Sequence, residues 1–264
     1  MPRPPALALP LPADVRAMNA VTWLLALVAA AALFMLALMW AVRQPAFGIR
    51  TVRVDGDMAR NSAATLRAHI RAGLTGNFFT LDLGTARRAI EEAPWVRHAV
   101  IYRLWPNRLT VRLEEHRAAA LWGRDDDLLV NSHGEVFAAN LGDVEDENLP
   151  TLQGPDGSSA AMLALLQRLA PVLSGVKMRI TTLNLSGRGT WAMQLDSGAS
   201  VELGRGTEAE LVQRTEQFVR TVAGVIARYE RPLLYADLRH NQGYAVRLKG
   251  ISTVNDSASP AGRN

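Results

Sequence analysis

The sequence predicts an α+β protein with one transmembrane helix near its N-terminus and two domains that follow the helix. Three observations support this prediction. One uncharged apolar run is long enough to cross a bilayer. The segment behind it shows patterns in the order β-α-α-β-β, and the rest of the chain shows many short strand patterns with two helix patterns. A chain of 264 residues is long enough to give each of two domains its own core.

The apolar run covers residues 21–42 and contains no charged side chain. At about 1.5 Å of rise per residue, a helix of this length spans a hydrocarbon core of about 30 Å. Trp23 and Trp40 lie near its two ends, where aromatic side chains favour the membrane–water interface. The alternative is a cleaved signal peptide, whose apolar region would be about 7–15 residues long and followed by small residues. The run is longer and leads directly into Arg43, so we predict a permanent anchor.

The charges beside this run leave its orientation open. Arginines lie on both sides of it: Arg3, Arg16, Arg43, Arg50, Arg53 and Arg60. Counted literally, the positive-inside rule would place the long C-terminal part in the cytoplasm, but the rule weakens for long translocated domains. Residues 1–20 carry five prolines and are expected to be disordered, as is a tail at residues 251–264.

Residues 47–115 are predicted to form the first domain, with the order β-α-α-β-β. Asn61 or Ser62 can cap the first helix and Asp82 the second, because such side chains accept hydrogen bonds from the free N–H groups of a first turn. Pro94 ends the second helix. The apolar residues that define the first three elements are Ile49, Val52 and Val54 in the strand, Leu66 and Ile70 in the first helix, and Leu83, Ala86 and Ile90 in the second.

A β-hairpin completes this domain. Residues 96–103 and residues 108–114 each alternate between two sets of side chains, so in each run one set faces a core and the other faces water. Trp105, Pro106 and Asn107 lie between the runs, where proline and asparagine favour a turn.

Residues 117–250 are predicted to form a second, β-rich domain with two helices. Short strands are expected at residues 118–122, 128–131, 135–138, 190–195, 201–203, 233–238 and 243–248. One helix is expected at residues 162–172, distorted near Pro171. The other begins at Thr207, which forms a capping box with Glu210 and precedes an apolar stripe typical of a helix that packs on a sheet.

The order of five sequence landmarks resembles the FtsQ/DivIB family of bacterial cell-division proteins. The central landmark, at residues 94–122, runs PWV, strand, WPN, strand and then LEEHRAAALW. The others are FGIRTVRVDG at residues 47–56, LPTLQGPDG at 149–157, VELGRG at 201–206 and YADLRHNQGYAVRL at 235–248. The resemblance implies that residues 47–115 are a POTRA domain, a small module that commonly binds other polypeptides, and that residues 117–250 are the family's β domain.

The resemblance further implies a location and a role. Residues 1–20 would be a cytoplasmic tail, residues 21–42 the single transmembrane helix, and the remainder periplasmic, at the division septum of the inner membrane. The expected role is that of a non-enzymatic divisome scaffold, which links early and late division proteins and binds FtsB–FtsL to control septal peptidoglycan synthesis. The POTRA domain would contact other divisome proteins.

The last predicted strand, at residues 243–248, is the candidate binding element. If it lies at a sheet edge, its free N–H and C=O groups can pair with a partner strand by β-augmentation. The resemblance implies that FtsB binds there. The implied contact residues are Arg188, Arg239, His240, Asn241, Gln242, Gly243 and Tyr244. Selectivity is expected from Arg188 and Arg239, whose positive charges would meet acidic partner residues.

Two of these residues admit another interpretation. Gly243 can simply relieve a turn, and Tyr244 can pack as an ordinary strand residue. The family often has an aromatic residue where His240 stands and a small hydroxyl residue where Gln242 stands. These differences leave the side-chain contacts open but do not affect backbone pairing.

No residue pattern indicates an active site, a metal site or a cofactor. The chain has no cysteine, which excludes a disulfide framework, thiolate metal ligands and cysteine catalysis. The five histidines lack ligand spacing, and Glu114, Glu115 and His116 cannot converge because adjacent strand residues point to opposite faces. The arginines are dispersed along the chain, so no nucleic-acid partner is expected. No small-molecule substrate is expected either.

Two other functions stay open. A POTRA-bearing component of polypeptide secretion or membrane assembly would need a transmembrane β-barrel on this chain or in a partner, and the second domain shows no series of membrane strands of about 10 residues. A membrane-anchored periplasmic hydrolase would need a convergent nucleophile or metal set, and the sequence shows none.

Overall fold

The computed structural model describes residues 13–44, 47–56, 59–60, 63–123, 128–240 and 243–250. The chain folds into two compact units. The first comprises Met1–Asp57, Ala63–Ala93 and His98–Leu113, and the second comprises Met58–Ser62, Pro94–Arg97 and Glu114–Asn264. The predicted fold class is confirmed, because an N-terminal apolar helix, a β-α-α-β-β unit and a β-rich domain with two helices follow one another.

Helix α1 (Ala13–Val42) is 30 residues long. Within the described residues, Asp14–Val42 is the one segment with the length and hydropathy needed to cross a membrane. Its most apolar part is not buried inside the protein, as expected for a helix whose side chains face lipid. The helix begins before the predicted apolar run and includes the charged Asp14 and Arg16 in its first turns, so the expectation of disorder is wrong for residues 13–20. Residues 1–12 and the expected tail at residues 251–264 lie outside the described residues.

Within its described residues, the first unit contains a three-stranded sheet in the order β1-β3-β2. β1 (Thr51–Gly56) pairs in parallel with β3 (Arg108–Glu115), and β2 (Val96–Leu104) joins β3 through the predicted hairpin. Helices α2 (Ala63–Gly73) and α3 (Leu83–Glu91) pack against each other. The element order is the one that the sequence patterns predict.

The core of this unit involves α3 and the sheet. Asp82 caps α3 as predicted, since its Oδ1 accepts a hydrogen bond from Gly84 N at 2.8 Å. The caps expected for α2, Asn61 or Ser62, lie outside the described residues. Fully buried side chains of α3 and β3 include Ala86, Ile90, Leu109 and Val111.

The described part of the second unit contains nine strands. They are β4 (Ala118–Trp122), β5 (Leu128–Asn131), β6 (Val136–Ala138), β7 (Thr151–Gln153), β8 (Ile180–Leu185), β9 (Trp191–Leu195), β10 (Ser200–Gly204), β11 (Leu233–Asp237) and β12 (Ala245–Leu248). They form one sheet in the order β12-β11-β10-β9-β8-β7-β4-β5-β6. β7 and β8 are not among the strands that the sequence patterns predict.

Helices α4 (Ser159–Ser174) and α5 (Glu208–Tyr229) pack against each other and against this sheet. α4 continues through Pro171, and α5 begins with the predicted capping box, in which Thr207 N donates to Glu210 Oε2 at 2.8 Å. A row of buried register neighbours crosses the sheet: Leu152, Leu183, Met193, Val201 and Ala236. The buried stripe of α5 consists of Leu211, Thr215, Phe218 and Val222.

Candidate functional site

The candidate binding element, β12, is an edge strand of the nine-stranded sheet as far as the described residues extend. It pairs antiparallel with β11, and the register shift between the two adds a residue to β11, not to β12. Lys249 N donates to Pro232 O at 3.0 Å, so this N–H points toward the β11 side. Successive residues of a strand direct their backbone N–H and C=O groups to opposite sides. The backbone groups of Arg247 therefore point toward β11, and those of Val246 point toward the open edge of the sheet.

Arg239, two residues past the end of β11, is already paired within the protein. Its guanidinium donates to both carboxylate oxygens of Asp237, at 2.8 Å from Nε to Oδ1 and 2.6 Å from Nη2 to Oδ2. Asp237 is only 8% exposed, and the hydrogen bonds from Arg239 lower its pKa to about 2. Arg239 therefore compensates a nearly buried carboxylate, which differs from the freely available charge that the sequence suggests.

Tyr244 packs against α5. Its ring lies 5.2 Å from that of Phe218 in an edge-to-face arrangement, and its hydroxyl shares a hydrogen bond with Thr221 Oγ1. Phe218 is fully buried, and Tyr244 is half-buried at the margin of this core. The contact supports ordinary strand packing for most of the Tyr244 ring and leaves only its outer part for a partner.

The remaining expected contact residues differ in what the structure shows. His240 and Gly243 are exposed. The φ of Gly243 is not in the left-handed region, and no atom would lie within 4 Å of an added Cβ, so its backbone does not require glycine. Asn241 and Gln242 lie outside the described residues.

Arg188 is exposed in the turn between β8 and β9, which Ser186 N closes by donating to Thr190 O at 2.9 Å. This turn leads into Trp191, the register partner of Gly204 at the end of β10. A Cβ on Gly204 would lie 2.8 Å from Cγ of Arg239, so the turn and Arg239 belong to the same end of the sheet. The structure thus brings five expected residues to that end: Arg188, Arg239, His240, Gly243 and Tyr244.

The sequence interpretation missed two participants in this site, Asp237 and Val246. Asp237 could have been found, because residues two apart at a strand end point to the same side and an Asp-x-Arg spacing allows a salt bridge. The outward direction of the Val246 backbone N–H and C=O could not have been found from the sequence, because it depends on the register between β12 and β11.

The acidic cluster at the end of β3, Glu114, Glu115 and the following His116, has structural partners. Glu114 accepts a hydrogen bond from Arg97 at 2.6 Å, while Nδ1 of His116 lies 2.9 Å from Asn131 Nδ2. Burial is the main reason that the pKa of His116 is lowered. Among the described residues there is no group of three or more His, Cys, Asp or Glu side chains that could hold a metal ion. The side chains of this cluster therefore form salt bridges and hydrogen bonds that stabilise the fold.

Comparisons with known proteins cover both domains. The FtsQ-type POTRA domain family matches residues 47–116, and the family described as "Cell division protein FtsQ/DivIB, C-terminal" matches residues 120–239. A protein named "Cell division protein FtsQ" from Thiomonas arsenitoxydans is 38% identical, with 96% of each chain covered. Proteins of the same name from Burkholderia pseudomallei and Bordetella pertussis are 39% and 34% identical, covering 83% and 93% of this chain and 86% and 96% of their own length.

Proposed function

The chain belongs to the FtsQ/DivIB family of cell division proteins, and from this premise we propose that it is a non-enzymatic scaffold of the divisome, anchored in the inner membrane by α1. In this proposal the residues before α1 lie in the cytoplasm, and both folded units lie in the periplasm at the division septum. The second unit binds the periplasmic segment of FtsB, itself paired with FtsL, near septal peptidoglycan synthesis. The POTRA domain contacts other divisome proteins.

The observation that carries this proposal is the open side of β12. Val246 directs its N–H and C=O away from the sheet, and an edge with such free groups is a template for another strand. A strand of FtsB that pairs there gains backbone hydrogen bonds, while the exposed Ala245 and Arg247 side chains beside Val246 contribute to selectivity. No cofactor and no reaction is required for this role.

Charge selectivity in this proposal comes mainly from Arg188. Its side chain is exposed and forms no ion pair with any residue that the structure describes. Arg239 is different, because an acidic partner residue that drew its guanidinium away would leave the carboxylate of Asp237 unpaired. Arg188 can meet an acidic residue of FtsB without such a cost, and charge complementarity of this kind suppresses wrong partners.

The test measures binding of the full-length chain, in lipid nanodiscs, to the periplasmic segment of FtsB from the same genome. Val246→Pro removes the outward N–H and keeps a side chain of similar size. Val136→Pro is the matched control at the other edge of the sheet, in β6. There Asn131 N donates to Glu135 O at 3.0 Å, so the backbone N–H of the next residue, Val136, also points away from the sheet. We expect Val246→Pro to weaken binding about tenfold, the effect of one lost hydrogen bond and its neighbours, and Val136→Pro to leave it unchanged.

Circular dichroism spectra of both variants should match that of the wild type. If Val246→Pro bound FtsB as tightly as Val136→Pro, pairing through β12 would be wrong. A wild-type chain that did not bind FtsB at all would return attention to the alternative function, a POTRA-bearing component of polypeptide secretion or membrane assembly.

A further inference from the structure

One end of the first unit is attached to the end of the membrane helix. Asn77 Nδ2 donates to the carbonyl of Val42, the last residue of α1, at 2.6 Å. The next residue, Phe78, donates its N–H to Phe47 O at 2.9 Å. Asn77 Oδ1 also accepts from the N–H of Phe79 at 3.0 Å. The loop around Asn77 is therefore held at the level where α1 ends.

The tip of the β2–β3 hairpin lies at this same end. Arg50 N donates to Asn107 O at 3.0 Å, and Thr51 is the register partner of Arg108. Because β1 and β3 are parallel, both strands begin on the side from which the chain leaves α1, and the turn before β3 lies there too. Arg50 is three residues beyond Phe47, so at most about 10 Å of extended chain separates the tip from the loop that contacts α1.

This end exposes large apolar side chains. Trp105 at the hairpin tip is 78% exposed, its neighbour Leu104 is 53% exposed, and Phe79 is 47% exposed. Phe79 is held in place by an edge-to-face contact with Phe47, with 5.1 Å between ring centroids. Aromatic side chains of this kind favour the membrane–water interface, where one part of the ring is buried and another is hydrated.

Positive charge accompanies these apolar groups. Arg43 follows α1 directly, Arg50 precedes β1, and Arg108 begins β3. All three are exposed, and none forms an ion pair with another residue in the described ranges. An arginine near an anionic membrane surface is attracted to it, so three arginines strengthen the membrane contact that the apolar side chains make.

We propose that this membrane-proximal rim, formed by Phe79, Leu104, Trp105, Arg43, Arg50 and Arg108, inserts into the interfacial layer of the leaflet from which α1 emerges. A lipid surface fits the rim because α1 is itself the membrane span and Asn77 fixes the rim beside the end of that span. The rim is a second attachment that sets the tilt and height of the POTRA domain above the bilayer. The inference depends on α1 crossing a membrane and is independent of FtsB binding.

The test uses the full-length chain in nanodiscs of phosphatidylethanolamine and phosphatidylglycerol, with no other protein present. Because the chain has no cysteine, Leu104→Cys provides a single site for a nitroxide spin label and leaves Trp105 in place. Arg112→Cys is the matched control, since Arg112 is exposed on β3 and lies four residues, or about 13 Å, farther from the tip than Arg108. Accessibility to oxygen, which partitions into lipid, is compared with accessibility to a water-soluble nickel chelate.

We expect the label at residue 104 to show a several-fold higher ratio of oxygen to nickel accessibility than the label at residue 112. Adding Trp105→Ser to Leu104→Cys should move this ratio toward the aqueous value, and replacing phosphatidylglycerol by phosphatidylcholine should do so to a smaller extent. Equal ratios at the two positions would overturn the proposal. A label at residue 104 that is shielded from both reagents would also overturn it, because the tip would then be covered by a second copy of the chain.

Discussion

The two edges of the nine-stranded sheet are held in different ways. At β6, Glu135 immediately before the strand accepts hydrogen bonds from Arg97 at 2.8 Å and from Asn131 at 2.6 Å. Arg97 is 38 residues away in the chain, so this contact ties the edge to a distant segment. Beside β12, at the end of the neighbouring strand β11, the corresponding charged pair of Asp237 with Arg239 joins residues that are only two apart in the chain.

Aromatic contacts follow the same division. Phe137 of β6 stacks on His116 with 4.1 Å between ring centroids and meets Trp95 edge to face at 5.3 Å. Beside β12, the aromatic contact that Tyr244 makes among the described residues is with Phe218. Both the hydrogen bonds of Glu135 and the ring contacts of Phe137 tie β6 to other segments of the chain. β12 instead depends on its pairing with β11 and on the contact with α5. The fewer side-chain contacts to distant segments at β12 are compatible with our proposal that a partner strand pairs there.

The largest expected effect distinguishes the two arginine–carboxylate pairs. Arg239→Ala should lower the free energy of unfolding by about 2 kcal/mol, because it leaves the nearly buried carboxylate of Asp237 without its charged donor. Arg97→Ala should lower it less, because its partners Glu114 and Glu135 are roughly half exposed and water replaces part of the lost contacts. Urea denaturation of the full-length chain, followed by circular dichroism at pH 7, measures both values.

The pH dependence provides the control for this prediction. The pKa of Asp237 is lowered from 3.8 to about 2, so the contribution of its pair is fully present above pH 3.8 and is lost as the pH falls toward 2. The difference between Arg239→Ala and the wild type should therefore shrink over that range. A difference that stayed constant from pH 7 to pH 2 would show that Arg239 acts through packing and not through the charge of Asp237.

An intermediate effect is expected at Tyr244. Tyr244→Ala should lower the free energy of unfolding by about 1–2 kcal/mol, because it removes a half-buried ring from Phe218. Tyr244→Phe should retain the ring contact and lose only the hydrogen bond to Thr221. FtsB binding by Tyr244→Phe is therefore the more informative measurement. Weaker binding by a fully stable Tyr244→Phe would identify the hydroxyl as a partner contact and contradict a purely structural role.

How far the sequence predicts the fold depends on how regular each pattern is. In β3, every second residue from Leu109 to Leu113 is buried, as the alternation predicts. In β2 the alternation is ambiguous, since His98 is exposed and the small Ala99 is the buried neighbour. β7 has three residues and β8 has a weak polar–apolar pattern, so neither gives a strand signal of its own.

The site was predictable only in part, for a similar reason. The family landmarks indicate which segment forms the last strand, but they do not reveal the register that directs the backbone N–H of Val246 to the open edge. They also do not show that Arg239 is occupied by Asp237, or that Glu135 is bound by Arg97 from another part of the chain. Contacts between distant residues follow from the assembled sheet, and short-range patterns carry no information about them.

The smallest expected effect concerns Arg188. Arg188→Glu should leave the free energy of unfolding unchanged, because the side chain is exposed in a turn and makes no ion pair within the described part of the chain. Binding of FtsB should weaken about fivefold, equivalent to about 1 kcal/mol, since water partly screens the attraction between an exposed charge at the margin of an interface and its partner. Arg220→Glu, an equal charge change at an exposed position of α5, is the control. The difference between the two variants should decrease as salt is added, because screening weakens exposed charge pairs. If Arg188→Glu and Arg220→Glu bound FtsB equally at low salt, the charge selectivity of the site would have to reside elsewhere, and the pairing of Asp237 with Arg239 would be the next contact to disrupt.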